Sequence, residues 1–200
     1  GENGEKKIFS FSDIDKLSNK FANVLLGLDV KAGDRVFFFL SRIPEIYYGL
    51  IGAIKTGAVA GTLFPAFGKQ ALFDRLSNSG AKILVTNKNL YERLKPIQKD
   101  LPDLKKVVLV DKGFEELMKD ALDDFTPVKL SPNDPFLMLY TSATGNTPVC
   151  GIVLPQKAIH QQKKTASLVL DLKENDIYWC TADPGWVTGT VYGILAPWSL

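Results

Sequence analysis

Small and hydroxyl-bearing residues are concentrated in the segment Tyr140–Gly151, which reads Y-T-S-A-T-G-N-T-P-V-C-G. Its hydroxyl side chains surround Gly145 and belong to Thr141, Ser142, Thr144 and Thr147. Hydroxyls and exposed backbone N–H groups donate hydrogen bonds to phosphate oxygens, and small residues let a phosphate approach the backbone. The segment therefore predicts a phosphate-binding loop, with a plain polar turn between two strands as the alternative.

The loop resembles that of the adenylate-forming superfamily, which includes acyl-CoA synthetases, luciferases and peptide-synthetase adenylation domains. The family pattern is Tyr-Thr-Ser-Gly-(Ser/Thr)-Thr-Gly-x-Pro-Lys-Gly-Val. A Walker-type P-loop is excluded because the chain contains no G-x-x-x-x-G-K-[ST]. The resemblance implies that the ATP phosphates are bound by Thr141, Ser142, Ala143, Thr144, Gly145, Asn146 and Thr147.

The loop departs from the family pattern at several positions. Ala143 stands at the first glycine, Asn146 stands near the last glycine, and Val149 and Cys150 replace the lysine. A lysine ammonium offsets phosphate repulsion, so its loss predicts weaker nucleotide binding. The departures keep open a second hypothesis, a non-catalytic nucleotide- or CoA-binding relative.

A second pattern, T-A-D-P-G-W-V-T-G, lies within Asp176–Trp198. It resembles the acetyl-CoA synthetase branch of the superfamily, which implies that Trp186, Val187 and Thr188 border a small acyl pocket. The bulk of Trp186 and Val187 would limit its depth, and the Thr188 hydroxyl would orient a carboxylate. Trp186 and Trp198 as ordinary core aromatics are the alternative.

A third segment, Leu63–Phe67, resembles by position the stretch that packs on the CoA adenine in acetyl-CoA synthetases. The residues that this resemblance assigns to CoA are Phe64, Pro65 and Ala66, with Arg93 meeting a phosphate. Buried phenylalanines and a solvent-exposed arginine are the alternative. The only histidine, His160, is predicted to lie on a helix surface, and Asp183 is predicted to cap a helix.

Strand-like and helix-like patterns alternate along the chain. Apolar runs predict strands at Ile8–Phe11, Val36–Leu40, Ala58–Leu63, Lys82–Thr86, Lys106–Val110, Phe136–Thr141, Gly151–Leu154 and Asp176–Thr181. Caps and apolar stripes predict helices after Ser12 and at Pro44–Gly57, Ala71–Asn78, Leu90–Ile97, Phe114–Leu122 and Pro155–Leu170. The alternation predicts an α/β fold, a mostly parallel sheet flanked by helices in βαβ units. A soft subdomain boundary is predicted in the loop 126–135.

Weaker family signatures at Lys31–Val36 and Gly52–Val59 extend the resemblance over nearly the whole chain. The resemblance implies the N-terminal part of an adenylate-forming domain that uses ATP, CoA, Mg²⁺ and acetate or another short acid. An adenylation domain that serves a carrier protein is a third hypothesis. The family's magnesium-binding acid and mobile C-terminal domain would follow Leu200. The apolar ending 193–200 likewise predicts a fragment, inactive without the missing C-terminal half.

Composition and residue spacing argue against several other classes of protein. With 24 basic and 22 acidic residues, the formal net charge of +2 gives no support for a nucleic-acid partner. No apolar run approaches the length of a membrane span. Cys150 and Cys180 lack the spacing of a zinc site or a disulfide framework. A reducing, cytoplasmic setting is therefore expected.

Overall fold

The chain forms a six-stranded sheet with helices on both faces, in a computed structural model that describes residues 6–141 and 149–200. The strands are β1 (Arg35–Phe39), β2 (Val59–Leu63), β3 (Ile83–Thr86), β4 (Lys106–Leu109), β5 (Pro135–Tyr140) and β6 (Gly151–Pro155). The first six helices are α1 (Phe11–Gly27), α2 (Pro44–Lys55), α3 (Lys69–Ser79), α4 (Lys88–Leu94), α5 (Phe114–Lys119) and α6 (Ala158–Val169). A 3₁₀ turn spans Gln98–Asp100, and the last helical stretch consists of α7 (Val187–Thr190), a π-helical turn (Val191–Leu195) and α8 (Ala196–Trp198).

The strand order across the sheet is β4-β3-β1-β2-β5-β6. The first five strands run parallel, and β6 pairs antiparallel with β5. The predicted α/β fold with a mostly parallel sheet is confirmed. Among the described residues, no helix is both long and apolar enough to span a bilayer.

Each face of the sheet carries its own apolar core. Side chains of β1 alternate between the two: Val36 and Phe38 join the core with α1 and α2, whereas Phe37 and Phe39 join the core with α3 and α4. All four side chains are fully buried. A strand covered on both faces requires a continuous apolar run. The strand predicted at Val36–Leu40 is confirmed as β1, with bounds that differ by one residue at each end.

Helix α1 begins at Phe11, earlier than predicted. Ser10 Oγ accepts a hydrogen bond from Asp13 N, and Asp13 Oδ2 accepts one from Ser10 N at 2.8 Å, which forms a capping box. These bonds lower the pKa of Asp13. The predicted strand Ile8–Phe11 is therefore wrong, because the helix cap uses the residues where that strand would end.

The predicted strand Asp176–Thr181 is also wrong. Within residues 6–141 and 149–200 no strand lies beside this segment, so its backbone groups have no ladder to join. Ile177 is fully exposed and Trp179 is 78% exposed. The apolar alternation is present in the sequence, but a pairing partner is required for a strand.

Candidate active site

Two of the predicted site residues, Phe64 and Thr141, follow the carboxyl ends of parallel strands, and so does Arg42, which was not predicted. Phe64 follows β2, Thr141 follows β5, and Arg42 comes shortly after β1. β1 leads into α2 on one face of the sheet, whereas its neighbour β2 leads into α3 on the other. In open α/β sheets such a divergence creates a crevice at the carboxyl edge, where ligands bind.

The turn before α7 lies against this edge. Asp183 Oδ1 accepts a hydrogen bond from Gly185 N at 2.8 Å, and Asp183 Oδ2 lies 3.6 Å from Arg42 Nε. A Cβ atom on Gly185 would lie 2.4 Å from Phe64 Cα, so the backbones can approach this closely only at a glycine. The side chain of Asp183 therefore shapes a turn, whereas the prediction was a helix cap.

Two buried threonines fasten α7 to β2. Thr62 Oγ1 lies 2.9 Å from Thr190 Oγ1, and Thr190 Oγ1 donates to Pro184 O. Thr62 and Thr190 are 1% and 0% exposed. Since both hydroxyls are satisfied away from water, they set the position of the first turn of α7 relative to β2.

The three residues predicted to border the acyl pocket begin α7 and are exposed: Trp186, Val187 and Thr188. The Trp186 ring packs on Phe64, with 5.2 Å between centroids, and stays 36% exposed. Trp186 is thus no ordinary core aromatic, unlike Trp198, which packs against Phe11 and Tyr47. One face of Trp186 is held by the protein and the rest remains accessible.

The residues predicted to bind CoA come together in the loop after β2. Arg93 Nη1 donates to Pro65 O at 2.6 Å and to Phe67 O at 3.1 Å. Phe64 and Phe67 pack edge to face, 5.9 Å apart, and Ala66 is exposed. Arg93, which lies in α4, therefore stabilises the loop after β2, although 26 residues of sequence separate it from Phe67.

Thr141 lies beside this loop at the end of β5. β5 pairs in parallel with β2, through Ala60 with Leu137 and Gly61 with Met138, so Phe64 and Thr141 each follow the carboxyl end of one of two neighbouring strands. Thr141 is exposed. The other residues predicted to bind phosphate lie outside the described residues: Ser142, Ala143, Thr144, Gly145, Asn146 and Thr147.

Sequence reasoning missed a buried arginine at this edge. Arg75 in α3 is 7% exposed, and its guanidinium carbon lies 4.2 Å from the centre of the Phe67 ring. Its Nη1 donates to Ala71 O, and its Nε has no hydrogen-bond partner within the described residues. Burial lowers the pKa of this guanidinium, which nevertheless stays charged at neutral pH. The available signal was spacing, since Arg75 falls between Leu72 and Leu76 on the buried stripe of α3.

Sequence reasoning also missed Asn78 near the end of α3. Its Oδ1 lies 2.9 Å from Tyr140 OH and 3.1 Å from Gly151 N. The only sequence signal there was the helix ending, which is confirmed by Gly80 in the left-handed C-cap conformation. His160 is exposed, as predicted.

The arrangement combines three chemical features at one edge of the sheet. Trp186 and Phe64 offer aromatic surface, the Thr141 hydroxyl offers a hydrogen-bond donor, and Arg75 brings positive charge, whereas the charge of Arg42 is balanced by Asp183. A positive field near a crevice favours anionic ligands. Such a site suits a ligand with both an aromatic ring and phosphate or carboxylate groups.

Comparison with known proteins identifies the family of this chain. The sequence model of a family described as AMP-binding enzyme matches residues 3–200. An acetyl-coenzyme A synthetase of Bacillus subtilis (strain 168) is 46% identical in an alignment of 200 positions that covers 95% of this chain and 34% of that protein. One from Rubrobacter xylanophilus is 33% identical in an alignment of 220 positions that covers 99% of this chain and 34% of that protein.

A crystal structure of a Brucella canis acyl-CoA synthetase superposes with a TM-score of 0.88 at 29% identity. The match covers 98% of this chain and 37% of that chain. This chain thus spans about a third of the length of the curated relatives it matches.

Proposed function

Because the chain belongs to the AMP-binding enzyme family, we propose that it is the N-terminal part of an AMP-forming ligase that joins acetate or another short acid to CoA. In the first step, the acid's carboxylate attacks the α-phosphorus of ATP, and pyrophosphate leaves. In the second step, the CoA thiolate attacks the acyl carbonyl, and AMP leaves with the electron pair of the broken acyl–oxygen bond. The printed names of the relatives, acetyl-coenzyme A synthetase, support this choice.

The observation that carries the proposal is that Phe64, Thr141 and the turn before Trp186 all lie at the carboxyl edge. Trp186, Val187 and Thr188 would wall the acid, and Thr141 with the six residues after it would bind the ATP phosphates. Phe64, Pro65 and Ala66 would pack on CoA while Arg93 meets a phosphate. The pairing of β2 with β5 and the packing of Phe64 on Trp186 support the assignment of these roles to neighbouring residues. Adjacent sites are what an acyl-adenylate that passes to a thiol requires.

Magnesium enters this proposal as part of the substrate. Among residues 6–141 and 149–200, no three or more His, Cys, Asp or Glu side chains are grouped to hold a metal ion. ATP itself offers phosphate oxygens, which suit Mg²⁺. We propose that Mg²⁺ binds the ATP phosphates, and that Arg75 supplies positive charge at this edge.

ATP–pyrophosphate exchange by the encoded full-length protein tests the first step. Exchange should depend on acetate or another short acid. Val187→Ala should shift the preference towards a longer acid by about tenfold, because one methylene is worth about that much in an apolar pocket. Val128→Ala, the same change at a half-exposed position away from the carboxyl edge, is the control. No exchange with any short acid would contradict the proposal.

A second variant separates the thiol step from adenylation. Arg93→Met removes the hydrogen bonds to Pro65 O and Phe67 O. We expect about a tenfold rise in the KM for CoA with little change in ATP–pyrophosphate exchange. Equal losses in both steps would argue against a CoA role for this loop. Activity that requires a carrier protein instead of CoA would favour the third hypothesis, an adenylation domain that serves such a carrier.

A non-catalytic nucleotide- or CoA-binding relative remains the second candidate function. It is favoured by Val149 and Cys150, which stand where the family has its lysine. Val149 packs against the core that contains Tyr140, and Cys150 is an exposed free thiol, so neither supplies an ammonium group. Calorimetric binding of ATP or CoA without any exchange activity would support this candidate.

We further propose that the longer protein covers an apolar surface on this chain. The exposed apolar side chains are Leu168 and Val169 at the end of α6, and Ile177 and Trp179 in the segment that follows. Trp179 also lines a cavity of about 840 Å³, together with residues that include Trp198. Because the relatives are about three times as long as the matched region, the proposed occupant is the rest of the same polypeptide. Large apolar patches mark such contacts.

Ile177→Asp tests this contact. Since Ile177 is fully exposed here, the change should leave the stability of the 200-residue chain unaltered. In the full-length protein it should cost about 2 kcal/mol or more, because a buried isoleucine would be replaced by a carboxylate. Equal stability of the wild-type and Ile177→Asp full-length proteins in urea unfolding would contradict the contact.

The cytoplasmic location is a further prediction, and cell fractionation tests it.

A further inference from the structure

Asn78 connects the two residues that flank the predicted phosphate loop. Tyr140 is the last residue of β5 and Gly151 is the first residue of β6. The Tyr140 OH group and the Gly151 N–H group lie 2.9 Å and 3.1 Å from Asn78 Oδ1. One side-chain oxygen can accept both bonds, so a single residue of α3 contacts the chain on both sides of the loop.

The surroundings of Asn78 are well fixed. Helix α3 is packed on the sheet through Leu72 and Leu76, which are almost fully buried. The Tyr140 hydroxyl also lies 2.9 Å from Arg75 O, so its single hydrogen is shared between that carbonyl and Asn78 Oδ1. Burial raises the pKa of Tyr140 to about 12, so the phenol keeps its proton at neutral pH. The phenolic donor is held by its buried ring, whereas Asn78 is exposed and is held by its place in α3 and by these contacts.

Gly151 makes this arrangement sterically possible. A Cβ atom at this position would lie 3.1 Å from Tyr140 Cζ and would overlap the end of the Met138 side chain. The Tyr140 ring can pack directly against the strand because that atom is absent. The Tyr140 hydroxyl and the Gly151 amide thereby reach the same oxygen of Asn78.

We propose that Asn78 is a positioning residue for adenylation, because it fixes the two ends of the phosphate loop relative to α3 before ATP binds. The proposal rests on the proposed function. Hydrogen-bond donors that are oriented in advance lose less entropy when they bind phosphate, and their charge stabilisation is greater in the transition state. The side chain itself touches the loop's flanks and does not need to touch ATP.

Two measurements on the full-length protein test this role. Hydrogen–deuterium exchange followed by mass spectrometry reports the anchor directly. In Asn78→Ala, peptides that span 149–155 should take up about one additional deuteron at early times, since the Gly151 amide loses its acceptor. Asn78→Asp keeps an acceptor oxygen and should restore protection. Ser77→Ala, an exposed neighbour in α3, is the control and should match the wild type.

The kinetics of ATP–pyrophosphate exchange then report the effect on catalysis. Asn78→Ala should raise the KM for ATP and lower kcat/KM by about tenfold, with less than about a twofold change in the KM for acetate. A loss of folded enzyme alone would lower kcat and leave the KM for ATP unchanged, which would overturn the proposal. Unchanged deuterium uptake would overturn it as well. A wild-type protein without any exchange activity would instead overturn the proposed function, whatever the deuterium uptake of the variant.

Discussion

The two buried threonines give a prediction about the direction of a hydrogen bond. Pro184 O can only accept, so the single hydrogen of the Thr190 hydroxyl points to Pro184 O. The hydrogen between the two hydroxyls, 2.9 Å apart, must then belong to Thr62. Thr190 is therefore both donor and acceptor, whereas Thr62 only donates in this chain of bonds.

This direction makes two isosteric substitutions unequal. Thr62→Val removes one donor and leaves the Thr190–Pro184 bond intact, which should cost about 1 kcal/mol. Thr190→Val leaves the Thr62 hydroxyl and the Pro184 carbonyl buried without partners, which should cost about 3 kcal/mol. Valine keeps the branched shape, so packing changes little.

Urea unfolding followed by tryptophan fluorescence measures the difference. Thr188→Val changes an exposed hydroxyl of the same helix and should alter the free energy of unfolding by less than about 0.5 kcal/mol. Adding Thr62→Val to Thr190→Val should be neutral or stabilising, because it removes an unsatisfied hydroxyl. A loss for Thr62→Val as large as that for Thr190→Val would refute the assigned direction.

Two further changes test packing and charge elsewhere. Asp34 Oδ2 lies 2.7 Å from Lys82 Nζ, and Asp34→Asn should cost about 1 kcal/mol at pH 7. Partial burial favours protonation of Asp34, but its hydrogen bonds to Lys82 and Lys31 N outweigh this effect and lower its pKa. The stabilisation should thus be complete above the ordinary pKa of 3.8 and should disappear as the pH falls through the lowered pKa of the folded state. Urea unfolding at a series of pH values across that range measures this loss. Gly185→Ala should lower the stability measured by thermal unfolding by about 2–3 kcal/mol. Its Cβ would lie 2.5 Å from Phe64 N, a backbone atom that cannot move aside by a rotamer change. An unchanged unfolding midpoint would contradict this close approach.

The architecture was predictable because local patterns and core burial agree. The run Val36–Leu40 predicted a strand covered on both faces, and its residues are fully buried. The two failures, Ile8–Phe11 and Asp176–Thr181, share one cause. Strand pairing is a non-local event, so an apolar alternation without a neighbouring strand does not decide the conformation. A helix cap at Ser10 decided the first case.

The contacts that hold the candidate site were beyond sequence reasoning for the same reason. Asn78 and Gly151 are 73 residues apart, and Thr62 and Thr190 are 128 apart. The residue types at these positions signal only a helix end and ordinary strand or helix residues. The family resemblance grouped Arg93 with the segment Phe64–Ala66, and the structure shows a hydrogen bond from Arg93 to Pro65 O. Their ligand remains a prediction.

The backbone contact between Gly185 and Phe64 has a consequence for substrate choice. With no room for even a methyl group between them, the segment bearing Trp186 cannot shift inwards on its own. If Trp186 and Val187 line the proposed acid pocket, a change of acid preference would require new side chains at these positions and not a shift of the backbone that carries them. Any motion of this segment would also carry the loop of Phe64, and with it the proposed thiol-donor site.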